Sequence, residues 1–374
     1  MIAPLLRGFG FFENQAIQSR LRTDEDSQWN VQVNLFKGHL DLNNASSNQD
    51  TTTDNLISWE DAQSRMKEPR ILFEQKQNVF HVLSRTDSET HGRGTPINWA
   101  YGSQLAKLLR TSGEHNFRTL PLNAYTRDKD QLVYIFLFDY PCGASDRPPV
   151  SLHELITSSR REPLFKLELK QRFHVAQTVA QAIGSFHSDD WLHKSIRSHA
   201  IKFFFLHADV SSYDFENPYL TGFGFARPVA GSTSMLAAAT DIDRDIYQHP
   251  DRWDPPRASF NPIHDIYSLG VVLLEIGLWQ TARQLYDDFV KYDSKGHIPP
   301  EGVPAKIIKK ALLEDATERL AHRMGSSYQE AVLACLEGDW GELIGTRDFA
   351  SKFQERVVGK VDIRSFLAKV LPMM

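Results

Sequence analysis

Side chains able to do chemistry gather in four stretches of this 374-residue chain. Residues 186–205, FHSDDWLHKSIRSHAIKFFF, carry His193, Lys194, Ser195 and Arg197, followed by Ala200. Residues 218–228, PYLTGFGFARP, centre on Gly222, Phe223 and Gly224. Residues 229–246 place Ser232, Thr233, Ser234 and Thr240 between Arg227 and Arg244. A phosphate on one of these hydroxyls would add up to about −2 charge, which either arginine could pair. The same residue types also make an ordinary polar loop. Residues 247–253, YQHPDRW, hold Pro250 and Asp251. Five acids lie in or beside the first stretch: Asp189 and Asp190 within it, ahead of His193, and Asp209, Asp214 and Glu216 after it. The 14 histidines are scattered, without an HExxH pair or a cysteine neighbour, so no metal site is expected.

Composition narrows the class. Apolar residues make up 41 % and charged residues 24 %, which is globular and excludes a disordered or fibrous chain. The net charge of −5 and pI of about 6.3 give no basic footprint, so no nucleic-acid partner is expected. Two cysteines, Cys142 and Cys335, exclude a disulfide framework. The longest dense apolar runs fall well short of the roughly 20 residues of a membrane span. The start, MIAPLLRGFGFFENQ, meets Glu13 without a small-residue cleavage site and makes a poor signal peptide. A soluble, cytoplasmic protein without a membrane span is the expectation.

The elements that must position these residues change character along the chain. Residues 1–55 read as an N-terminal appendage ending in a polar linker, NNASSNQDTTTDN at 43–55. Residues 56–141 are β-rich with one helix. ILFEQKQNVFHVL at 71–83 reads as a strand or hairpin. A helix follows Pro96, with Leu105, Leu108 and Leu109 on one face and Gly113 as its stop. TRDKDQ separates two apolar runs as a hairpin turn. From 142 to 374 helices dominate. Ser151 and Glu154 form a capping-box pair before LHELI. An apolar stripe of Leu169, Phe173, Ala176, Val179, Ala180, Ile183, Phe186 and His187 marks an amphipathic helix. Residues 259–279 are apolar on all sides after their start, which places a helix at the centre of a lobe.

A small β-rich lobe followed by a larger helical one is the element order of a protein kinase, and the motifs agree. WLHKSIRSHAI resembles the kinase catalytic loop, His-Arg-Asp-Leu-Lys-Pro-Glu-Asn-Ile. His193 matches its histidine, Ser195 stands at the aspartate, Arg197 at the lysine and Ala200 at the asparagine. PYLTGFGFARP resembles the Asp-Phe-Gly turn, with Gly222 at the aspartate and Phe223 and Gly224 kept. YQHPDRW resembles the Ala-Pro-Glu end of an activation segment, with Pro250 and Asp251. HDIYSLGVVLLEIG resembles the Asp-x-Trp-Ser-x-Gly helix, with Asp265, Ser268 and Gly270 in place. The resemblance implies a bilobal α+β kinase-like fold in which Asp265 binds the backbone of the loop.

It also implies lost chemistry. Phosphoryl transfer needs Mg²⁺ held by the Asp-Phe-Gly aspartate and the loop asparagine, and an aspartate to accept the hydroxyl proton. Mg²⁺ requires oxygen ligands, and Gly222 and Ala200 have none in their side chains. The hydroxyl of Ser195 is far too weak a base. No glycine occurs between Gly38 and Gly92, where a phosphate-covering hairpin should fall. Lys76, on the strand ILFEQKQ, is the one candidate nucleotide lysine, though Glu74 or Gln75 could equally occupy the position, and an exposed edge lysine explains it as well. The helix that should supply its glutamate has no acid from His91 to Gly113.

Residues 60–371 resemble the kinase-like domain of filamentous fungi that follows HeLo-type or prion-inhibition-and-propagation domains. The most family-specific block is ERLAHRMGSSYQEAVLACLEGDW at 318–340. The resemblance implies a catalytically inactive pseudokinase, an interaction or regulatory module in self/non-self recognition or cell-death signalling, with a HeLo-type or NLR-like effector as partner. It implies no cofactor. Two alternatives stay open: an atypical active serine/threonine kinase using displaced acids, and a sensor that binds ATP without metal.

Overall fold

The computed structural model describes residues 56–68, 70–77, 100–128, 133–158, 166–206, 213–229, 242–253, 259–293, 305–346 and 348–364. The appendage and linker at 1–55 and the four hydroxyls at 232–240 lie outside the described residues. The architecture is mixed α+β, mostly helical, with small antiparallel sheets.

The first part holds helix α1 (Trp59–Arg65), strand β1 (Ile71–Gln77), helix α2 (Ala100–Asn116) and strands β2 (Leu122–Asp128) and β3 (Val133–Asp139). Ser58 caps α1 by accepting the Asp61 amide at 3.1 Å. The sheet order is β1-β3-β2, with β3 in the middle. β3 carries a continuous run, YIFLF, because both of its faces are covered. Tyr134, Phe136 and Phe138 join the main core with Leu105 and Leu109 of α2. Ile135 and Leu137 pack with Ala62 of α1 in a second cluster. Gly102 is where α2 meets the sheet, and a Cβ there would enter the ring of Tyr134.

Three expectations are corrected here. The region has a second helix, α1, which the alternation of the strands overshadowed in the sequence. Gly113 does not stop α2, which continues to Asn116. Thr126, Arg127 and Asp128 belong to β2 rather than to the hairpin turn.

The second part begins with β4 (Val150–Ser151) and α3 (Leu152–Ser158). The Ser151 hydroxyl accepts the Glu154 amide, and a Glu154 carboxylate oxygen accepts the Ser151 amide at 2.7 Å, as the capping pair requires. Helix α4 (Leu169–Ser188) buries Phe173, Ala176, Val179, Ala180, Ile183, Phe186 and His187. Leu169 does not join that stripe: as the first residue of the helix it is 42 % exposed. Strands β5 (Trp191–Leu192), β6 (Ile201–Phe203), β7 (Tyr219–Leu220) and β8 (Arg227–Pro228) pair as β4-β6-β7 and β5-β8. Helix α5 (Ile242–Asp245) precedes α6 (Pro262–Leu278), α7 (Ala282–Asp293), α8 (Ala305–Glu318), α9 (Leu320–Glu337) and α10 (Phe349–Phe353).

Helix α6 is buried along nearly its whole length. The side chain of Asn261 caps it, Pro262 opens it, and Trp279 ends it in the left-handed region at φ 56°. The Arg172 guanidinium lies over the Trp279 ring at 4.8 Å and donates to the Gly277 carbonyl. Gly270 and Gly277 let α9 approach: a Cβ on Gly270 would stand 2.6 Å from the Cβ of Cys335. Gly270 is therefore a packing position.

A strap joins the two parts. Arg118, just beyond α2, has φ 52°. Its carbonyl accepts the Leu220 amide at 2.6 Å, and its guanidinium donates to Asn217 and lies over Tyr219.

Candidate functional site

The segment from His193 to Ala200 leaves β5 and enters β6 through a 3-10 turn, Ser198–Ala200. Its shape is set from below by Asp265, in the first turn of α6. One carboxylate oxygen of Asp265 accepts the His193 amide at 2.8 Å, and the other accepts the Lys194 amide at 2.8 Å. His187, at the end of α4, approaches the same carboxylate at 3.2 Å. Burial alone would raise the Asp265 pKa, but the His187 hydrogen bond and the neighbouring groups hold it below the usual carboxylate value. The acid can thus stay ionised in the core because three donors satisfy it. Lys194 takes φ 66° directly above this anchor.

His193 joins the loop to the Gly222 turn. Its Nδ1 accepts the Ser195 amide at 3.3 Å, so its Nε2 carries the proton and donates to the Thr221 carbonyl at 3.1 Å. Burial drives its pKa down to about 4, which keeps the ring neutral as that pattern demands. The Phe223 ring packs on His193 at 4.9 Å and on Phe186 at 5.8 Å. Gly224 lies within the Phe223–Phe225 turn.

The four degenerate positions do not all meet. Gly222 sits at φ 89°, ψ 33°. A Cβ on it would contact the Ala200 Cβ at 3.4 Å and the Ser195 carbonyl oxygen at 3.9 Å. Gly222, Ala200 and Ser195 therefore share one small space. The Arg197 charge is felt by His199, His153 and Tyr247, outside that space. Lys76 lies on β1, opposite Tyr134 in the register, and among the described residues β1 is an edge of its sheet. The backbone of β1 runs within 8 Å of the Phe223–Phe225 turn, measured between Cα atoms.

The flanking acids are engaged locally. Asp214 accepts from the Glu216 amide and the Asn217 side chain. Glu216 is exposed beside His174. Asp209 lies outside the described residues. Pro250 and Asp251 form a short 3-10 turn capped by His249.

A cationic group borders the loop. Lys194 has a pKa pushed down to about 8, first by burial and then by Arg227 and Arg252. Its ammonium lies over the Phe260 ring at 5.4 Å.

Among the described residues one trio could be taken for metal ligands: His249, Asp251 and His264, with candidate atoms within 4.8 Å of one another. Hydrogen bonding argues against it. The Nδ1 of His249 accepts the Asp251 amide and the Nδ1 of His264 accepts the Asn261 amide. Each neutral ring then carries its proton on Nε2 and has no free lone pair for a cation.

Sequence reading missed a buried network behind the loop. Tyr247 donates to Glu275 at 2.7 Å and pairs with the Ser198 hydroxyl at 2.9 Å. The same Glu275 oxygen accepts the Ala282 amide, while its other oxygen is buried without a partner. Burial pushes Glu275 up to about 7. The available signal was a single acid inside an otherwise apolar run, VVLLEIGLW.

Comparison with known proteins yields a family match. The model described as Domain of unknown function (DUF7580) matches residues 139–341. That span contains every site residue above except Lys76. No curated protein matches the chain. Among the described residues no helix is long and apolar enough to cross a membrane.

Proposed function

The chain belongs to the DUF7580 family, and we propose that it is a protein-kinase-like module of two lobes that has given up phosphoryl transfer and serves as an interaction or regulatory unit. One observation carries this reading: the Gly222 turn is met by the Ala200 methyl, the His193 ring and the Ser195 backbone carbonyl, with no carboxylate or carboxamide among them. A kinase would present two metal ligands and a base there. Gly222 and Ala200 bring no side-chain oxygen for Mg²⁺, and the Ser195 hydroxyl is too weak a base to take the proton.

Further support comes from what is retained. The Asp265 anchor, the His193–Thr221 link and the Phe223 packing are structural devices, and they are intact. The order β1-β3-β2, with α2 between β1 and β2 in sequence, agrees with a kinase small lobe. By the fungal resemblance, the partner is a HeLo-type or NLR-like effector in self/non-self recognition.

A thermal-shift titration with ATP, with and without Mg²⁺, tests the reading, since a ligand of the native state must raise apparent stability. No shift and no phosphate incorporation are expected. A shift independent of Mg²⁺ would favour a nucleotide sensor instead. Incorporation lost on Asp214→Asn or Asp209→Asn would make the protein an active kinase and overturn the proposal.

A further inference from the structure

A pair of histidines lies outside the anchor and the Gly222 turn. His153 of α3 and His199 of the Ser198–Ala200 turn stack face to face, with ring centroids 3.8 Å apart and planes inclined by 21°. The Nδ1 atom of each is buried and has no hydrogen-bond partner. Near-parallel rings direct their lone pairs along separate planes, so the pair cannot share a cation. What the arrangement does respond to is protonation. A proton on either Nδ1 would be a buried donor without an acceptor. Charge on both rings would place two cations in face contact.

We propose that the His153–His199 stack is an acid-released latch that holds α3 against the 193–200 loop at neutral pH and lets it go when the rings take up protons.

The groups around the pair do not cancel this response. Glu154 of α3 and Asp243 of α5 favour the charged form, while Arg197 of the loop and Lys202 of β6 oppose it. Burial dominates for both rings, and it holds His199 down at about 4. A histidine with a lowered folded-state pKa contributes stability above its unfolded value near 6.5 and loses it as the pH falls toward 4. The element at stake is local. Helix α3 is 7 residues long, packs on the Ser198–Ala200 turn and β6, and buries Leu152, Leu155 and Ile156. Opening it uncovers that apolar face while α6 stays closed. The inference is independent of whether the loop does chemistry.

Amide hydrogen exchange on the full chain, read by mass spectrometry and corrected for intrinsic pH dependence, tests it. Between pH 7 and pH 5 the peptides over 152–158 should lose protection on the order of tenfold, while those over 262–278 hold theirs. His153→Phe and His199→Phe each keep a flat ring that cannot charge and should each reduce the acid response, and in the double variant the α3 peptides should exchange alike at the two pH values. Equal protection of wild-type α3 at both pH values would overturn the proposal. So would an unchanged acid response in both phenylalanine variants, or loss at α6 in step with α3.

Discussion

The carboxylate of Asp265 accepts the backbone amides of His193 and Lys194, one on each oxygen, both at 2.8 Å. Two consecutive amides pointing the same way force the left-handed turn at Lys194. The conformation of the loop is thus dictated by a residue 72 positions downstream of His193.

Removing that acid should be costly. Asp265→Ala leaves two buried amides unpaired, and the expected loss is about 3 kcal/mol or more of unfolding free energy. Urea denaturation measures it. Asp265→Asn keeps one acceptor oxygen and should lose less.

Gly222 occupies a backbone region that side chains enter only under strain. Gly222→Ala should destabilise by about 1–2 kcal/mol, because its Cβ is strained at φ 89° and also touches Ala200. Gly224→Ala, at a neighbouring glycine without a positive φ, serves as the control. Equal losses in the two variants would remove the conformational explanation.

Glu275 titrates against the fold. Its folded-state pKa of about 7 is raised above the unfolded value, so its contribution is complete below about pH 4.5 and fades as pH climbs through 7. Relative to wild type, Glu275→Gln should gain stability between pH 5 and pH 8, by up to about 3 kcal/mol. The glutamine still offers an oxygen to Tyr247 and Ala282. A parallel pH profile in the two proteins would refute the assignment.

The two thiols should differ in reactivity. Cys142 is exposed, whereas Cys335 is buried and its pKa is raised by that burial. A thiol reagent should modify one cysteine in the native protein and both in denaturant. Rapid modification of both under native conditions would contradict the packing of α6 on α9.

Local rules carried the sequence reading far for some elements. The Ser151–Glu154 pair was legible because both partners lie within one turn. Helix α6 was legible because an apolar surface on every side leaves no exposed face. The role of Asp265 came from motif resemblance, and the geometry agrees with it. Other features depend on chain segments meeting in three dimensions. His153 and His199 are 46 positions apart (199 − 153) and carry no periodic mark. Glu275 was visible as an odd acid, but its partner Tyr247 was not. Gly113 looked like a stop because glycine disfavours helix interiors, yet α2 continues past it.

The Arg118 strap has a mechanical meaning. Here a carbonyl, a guanidinium and an aromatic face rivet the end of α2 to β7, and one apolar interior runs from Phe136 to Leu336. A change at Arg118 is therefore transmitted to both parts at once, to the end of α2 and to β7 beside the Gly222 turn.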